Sequence, residues 1–231
     1  MTWTATDSDI LLLSLKVAFW SVAGSLPLAL AVAWVLARMQ FRGKVLFDAI
    51  VHLPLVLPPV VIGFALLILF GRNGVIGGAL EQWFGLVFAF KWTGAALASA
   101  IMGFPLMVRA IRLSLEAIDP RLESAARTLG ANPLRVFTTI TLPLAFPGLV
   151  TGALLSFARS LGEFGATITF VSNIPGETQT LPLAIYNFTQ VPGADAEAAK
   201  LCIVAVLLSI AALAASEWMN RRARQRTHGH A

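Results

Sequence analysis

The chain has 231 residues, 57% of them hydrophobic and only 13% charged, where an ordinary soluble domain carries about a quarter charged residues; water is thereby excluded as the solvent for most of its surface. The formal charge of +5 does not point to nucleic acid, because the basic residues fall between apolar runs and make no groove-like patch interleaved with aromatics. A single cysteine, Cys202, sits inside an apolar run, which excludes an intrachain disulfide and a thiolate metal cluster and reads as small-residue helix packing.

Residues 1–9 form a short polar amino terminus. Asp7 and Asp9 precede the first apolar run, no basic segment opens the chain, and the run exceeds about 15 residues, so it is expected to be a retained span and not a cleaved signal. Five apolar stretches follow, at 10–37, 45–70, 92–108, 142–171 and 196–218. Each is long enough to cross about 30 Å of hydrocarbon with some tilt. In lipid every backbone polar group must be satisfied within the segment, so the expected fold is all-α, one polytopic membrane domain over 10–218. The basic segment 219–231 reads as a cytoplasmic stop and lipid anchor.

Basic residues give the orientation. With the amino terminus outside, the inner segments collect Arg38, Arg42, Lys44, Arg109, Arg112, Arg121, Arg127, Arg135, Arg221, Arg222, Arg224 and Arg226, twelve of the 17 lysines and arginines. That bias places the amino terminus in the periplasm and the carboxyl terminus in the cytoplasm.

Prolines break several spans. Pro54, Pro58 and Pro59 fall in the second, and Pro27, Pro105, Pro143 and Pro147 in others. Each removes a backbone donor and disfavours a straight helix. Irregular backbone at membrane depth survives where protein or a water-filled cavity shelters it, which favours a solute path, with ordinary packing in a bundle as the alternative.

The cytoplasmic loop 115–135 is the most informative segment. Asp119 can cap a helix that starts on Pro120, and Gly130 can end it in a left-handed conformation. Within this stub Leu122, Ala125, Ala126 and Leu129 share one face, while Glu123 and Arg127 are spaced to pair at i,i+4 on another. Asn132 and Pro133 repeat the start signal. An amphipathic stub too short to span, joined to spans on both sides, suits docking into a groove on a cytoplasmic partner; lying on the membrane surface is the alternative.

Glu123-Ser124-Ala125-Ala126, Gly130 and Leu142-Pro143 together resemble the EAA signature of permeases in binding-protein-dependent ATP-binding-cassette (ABC) importers, with Ser124 in place of the usual first alanine. The segments His52–Val61, Phe157–Thr167 and Asn173–Thr180 resemble the molybdate branch of that family and, less closely, its sulfate/thiosulfate branch. The resemblance covers about residues 10–218. It implies a type I importer transmembrane domain in the bacterial inner membrane, working as a homodimer with two ATPase subunits and a periplasmic molybdate-binding protein. It also implies that the stub is the coupling helix, with contacts from Glu123, Ala125, Ala126, Leu129 and Gly130. No cofactor belongs to this chain on that reading; ATP and magnesium are held by the partner ATPase. Sulfate, thiosulfate or tungstate is the alternative substrate, and an ion-coupled secondary transporter the alternative mechanism.

The sequence has no phosphate-binding Gly-x-x-x-x-Gly-Lys loop and no zinc-protease histidine pair, and Ser156 and Ser160 have no histidine nearby in sequence, so neither an ATPase nor a hydrolase is expected. His52 is the one histidine outside the tail, and His228 and His230 read as solvated, so no catalytic or metal site is assigned. Arg159 and Glu163 lie four residues apart toward the outer end of the fourth stretch, where intramembrane charge tends to face a bundle or cavity. They are read either as an ion pair fixing an outer gate or as a means for Arg159 to pass an anion. Gly162 and Gly165 flank them as points where the backbone can flex.

Overall fold

The computed structural model describes the backbone of residues 3–228, and side chains through residue 215 except that of residue 213. The side chains of the basic tail, with His228 and His230, lie outside the described residues. Helices account for about four-fifths of the described chain, which contains no strand.

Helix α1 (Ala5–Arg38) begins on Thr4, whose hydroxyl and Asp7 cap each other's backbone N–H groups, satisfying donors that a helix end leaves orphaned. Its 34 residues rise about 51 Å at 1.5 Å per residue, enough to cross a bilayer. The second apolar stretch divides into α2 (Lys44–Val56) and α3 (Pro59–Phe70), bent by 110°. The break falls at Leu57-Pro58, where proline disfavours helical backbone in the residue before it. Pro59 then occupies the first turn of α3, where a missing N–H costs nothing.

A short α4 (Val75–Phe84) leads to α5 (Trp92–Glu116), which runs past the third apolar stretch to the loop. The stub is α6 (Pro120–Thr128), followed by α7 (Pro133–Val136), a π-helical turn Phe137–Thr141, and α8 (Leu142–Leu161). Pro143 has no N–H to offer the carbonyl four residues back. The Leu142 N–H accordingly reaches the Phe137 carbonyl, five residues back, the register of a π turn.

The fourth apolar stretch is not one helix. It stops at Leu161 and resumes as α9 (Gly165–Val171), after which come α10 (Leu181–Thr189) and α11 (Asp195–His228).

Helices α1, α5 and α8 pack on one another, α11 lies on α8 and α10, and α3 lies on α9. Small residues permit these approaches. A β-carbon on Gly148 would collide with the Ser114 side chain, and one on Gly103 with Ser156, as expected where helices associate in lipid through close backbone contact. One apolar cluster centres on Val17, Ala95, Met102 and Phe170, and another on Leu36, Met107, Ile111 and Leu115 nearer the loop.

Long-range polar contacts mark the two ends of the bundle. At one, Lys200 Nζ lies 2.6 Å from Asp7 Oδ2, and Glu177 Oε1 accepts the Trp92 N–H that opens α5 at 3.3 Å. At the other, Arg112 joins α2 to α5 by donating to Asp48 Oδ2 at 3.1 Å and Glu116 Oε1 at 2.7 Å.

Candidate functional site

The stub is delimited by its caps. Asp119 accepts the Arg121 N–H at 2.9 Å, which satisfies an orphan donor of the first turn. At the other end Gly130 takes φ +84°, the left-handed region in which a β-carbon is unfavourable. Its N–H donates to the Arg127 carbonyl at 3.0 Å, and the Ala131 N–H donates to the Ala126 carbonyl at 3.0 Å. These two bonds close a Schellman motif and satisfy carbonyls at the carboxyl end. Asn132 then caps α7 through the Arg135 N–H at 2.8 Å. The Ser124 hydroxyl donates to the Pro120 carbonyl of its own helix at 3.1 Å, so a serine here leaves no polar group in need of another partner.

No residue of α6 is buried. Leu122 is 49% exposed and Leu129 88%, with Ala125 exposed and Ala126 partly covered. The apolar face read from the sequence thus stands bare at one end of the bundle, and contiguous exposed apolar surface marks an interaction site.

Glu123 corrects the i,i+4 expectation. Its carboxylate does not turn along the helix to Arg127: Oε1 accepts from Arg38 Nη2 at 2.8 Å and from the Thr141 hydroxyl at 2.9 Å. Arg38 ends α1 and Thr141 ends the π turn, so one carboxylate oxygen joins three elements. The side chains of Arg38 and Glu123 are 18% and 15% exposed, and Thr141 is buried. A groove of about 660 Å3 opens beside them between α1 and the loop, lined also by Trp34, Arg127 and Phe137.

At the break between α8 and α9 the structure brings Arg159 and Glu163 together, Nη1 to Oε2, at 2.6 Å. Glu163 is buried, its side chain 1% exposed against 29% for Arg159. The contact to Oε2 lacks hydrogen-bond geometry and is a close charge contact, while Oε1 accepts the Ala166 N–H at 2.9 Å. Glu163 therefore caps the first turn of α9, where a helix favours negative charge. Gly162 and Gly165 differ in kind. A β-carbon on Gly162 would meet nothing nearer than 4.0 Å, but one on Gly165 would stand 2.8 Å from the Pro59 β-carbon. Gly165 lets α9 lie against the start of α3.

Among the described residues no three histidine, cysteine, aspartate or glutamate side chains gather as metal ligands. The arrangement offers no nucleophile with a base. What it offers is mechanical: an exposed apolar stub tied into the bundle at one end, and a charged break in a helix toward the other.

A family model described as the binding-protein-dependent transport system inner membrane component matches residues 25–227. The chain is 63% identical over 210 residues to the molybdenum transport system permease protein ModB of Haemophilus influenzae, covering 91% of this chain and 92% of that one. It is 58% identical over 226 residues to the ModB of Escherichia coli (strain K12), covering 98% and 99%. Among solved structures, a bacterial alginate ABC transporter in complex with alginate pentasaccharide-bound periplasmic protein aligns with a TM-score of 0.73 at 17% identity, over 95% of this chain and 80% of that one.

Proposed function

The chain belongs to the binding-protein-dependent transport system inner membrane components, and from that premise we propose that it is the permease subunit of an ABC importer carrying molybdate across the bacterial inner membrane. It is a transport subunit and not an enzyme; ATP hydrolysis belongs to an ATPase partner, and a periplasmic binding protein delivers the substrate. Identity of 58–63% over nearly full length to molybdenum permeases supports molybdate.

Two copies form the pathway on their shared axis, each with α6 docked into an ATPase subunit through Leu122, Ala125, Ala126 and Leu129. The observation that carries this reading is the bare apolar face of α6, capped at both ends and held to the bundle by Glu123. On this reading the end holding α6 and the end of α1 is cytoplasmic, and the end holding Asp7, Lys200 and Glu177 is periplasmic. The clustering of basic residues near α6 supports that orientation.

Closure of the ATPases on ATP draws the two stubs together, and a rigid-body shift of the bundles opens the outer side. The Arg159–Glu163 contact at the α8–α9 break holds the outer gate. Affinity resides in the binding protein, so the permease needs no tight oxyanion site of its own.

The test is reconstitution of the chain with its ATPase and binding protein in liposomes. Molybdate-dependent ATP hydrolysis and uptake, with sulfate at equal concentration ineffective, is the expected result. Uptake driven by an ion gradient without the ATPase would overturn the mechanism, and equal stimulation by sulfate would overturn the substrate.

A further inference from the structure

The contact of Glu123 with Arg38 and Thr141 is not needed to hold α6 as a helix, because Asp119 and Gly130 already cap it. The Glu123 carboxylate is turned inward to Arg38 and Thr141, while Leu122 and Leu129 are exposed. A charged carboxylate withdrawn to 15% exposure loses hydration, and it is retained there only if its partners compensate. Those partners lie 85 residues earlier and 18 residues later in the chain.

We infer that Arg38, Glu123 and Thr141 form a bracket that makes the inner end of α1 travel with the coupling helix, so that α1 and the π turn leading into α8 receive the stroke together. Arg38 and Thr141 are thereby positioning residues for coupling, although neither lies on the exposed docking face. The π turn is the deformable member: its wider register carries the Leu142 N–H to the Phe137 carbonyl five residues back, and π turns inside helices recur at functional sites. Arg38 is the long-range member, because it ends the helix that runs the length of the bundle beside α5 and α8. Without the bracket, α6 would remain joined to the bundle through its two flanking backbone connections and could rock between them without moving α1.

This inference rests on α6 being the docking element, and the experiment separates the two. In the full complex with its ATPase, binding protein and molybdate, and in a Cys202→Ser background, spin labels are placed at Met39 and Ser124, both exposed. The distance between them should stay constant between nucleotide-free and ATP-bound states in the otherwise unmodified chain. It should broaden and shift on ATP binding in Glu123→Gln and in Thr141→Val, but not in Thr141→Ser. Uptake per ATP hydrolysed should fall roughly tenfold, the scale of ordinary coupling between sites, in Arg38→Met, Glu123→Gln and Thr141→Val. Co-purification with the ATPase should be unchanged in Arg38→Met and Thr141→Val, neither of which alters a residue of α6, and Thr141→Ser should keep normal coupling. A Met39–Ser124 distance that changes between nucleotide states in the unmodified chain overturns the bracket, as does normal uptake per ATP in Glu123→Gln. Failure of a cysteine at Leu129 to cross-link to the ATPase instead removes the docking reading itself.

Discussion

A β-carbon on Gly63 would stand 2.5 Å from the Ala166 carbonyl oxygen, so α3 and α9 cross backbone to backbone. Nothing there is the movable end of a long side chain; the nearest atoms are the Ala166 carbonyl oxygen and α-carbon. Gly63→Val is therefore expected to push the two helices apart, at a cost of about 1–3 kcal/mol for overpacking a tight contact. Gly162→Ala, whose nearest neighbour would be 4.0 Å away, should be close to neutral. Thermal unfolding of the detergent-solubilised permease compares the two, and equal melting temperatures would show that the crossing is looser than it stands here.

The contact between Arg159 and Glu163 admits two roles, and a double variant distinguishes them. Arg159→Met leaves Glu163 buried without its cation, and breaking a buried pair from one side costs about 3–5 kcal/mol. If the pair only fixes the break between α8 and α9, Arg159→Met/Glu163→Gln should recover most of the stability and transport lost in the single variant. A glutamine retains an oxygen for the Ala166 N–H that Glu163 now accepts. If Arg159 guides the oxyanion, the double variant should regain stability but stay defective in molybdate uptake. Melting temperature and uptake measured on the same preparations separate the outcomes.

The parts of this site that were legible in the sequence are those whose partners lie within one or two helical turns. Asp119 and Gly130 bound α6 because caps act on the nearest backbone groups, and Arg159 with Glu163 could be read as a pair because four residues return to the same helix face. The same rule misassigned Glu123. Arg127 occupies the i+4 position, but Arg38 and Thr141 take the carboxylate, and nothing local announces a partner 85 residues away. Prolines in the second apolar stretch announced a break without its angle, since 110° is set by where α2 and α3 find packing. Gly165 was read as a hinge because sequence cannot distinguish a glycine that moves from one that another backbone approaches. The Pro59 β-carbon, 2.8 Å from where its own would stand, makes it the second kind.

Gly130 tests the proposed docking of α6 from its end. With φ +84° and open space around its missing β-carbon, Gly130→Ala carries only the strain of a left-handed residue, about 1 kcal/mol. It should lower coupled ATP hydrolysis modestly. Gly130→Arg adds a long cation beside the exposed Leu129 and should abolish uptake while membrane insertion stays normal, as judged by the amount of protein in the membrane fraction. Wild-type uptake by Gly130→Arg would count directly against docking through this face.

At the opposite end, Asp7 and Lys200 tie the start of α1 to the start of α11 across 193 residues of sequence. Both are largely withdrawn from solvent, with side chains 13% exposed for Lys200 and 5% for Asp7, and Asp7 also accepts the Thr4 N–H and hydroxyl at 2.8 Å. The carboxylate thus does two things at once: it completes the cap of α1 and neutralises a lysine brought in by α11. Lys200→Met removes only the second and strands a buried carboxylate, so it should destabilise the chain by about 3–5 kcal/mol, the range for breaking a buried pair from one side. Asp7→Asn keeps an oxygen for the Thr4 N–H and leaves no buried carboxylate, while the long stem of Lys200 can carry its ammonium toward solvent. Its loss should accordingly be the smaller of the two. The double variant should lie above Lys200→Met in melting temperature, because no isolated charge remains. A double-mutant cycle on detergent-solubilised protein measures this directly. A coupling energy indistinguishable from zero would mean that the pair adds nothing to the apolar cluster of Ile10, Leu181, Ala184 and Leu201 that gathers α1, α10 and α11.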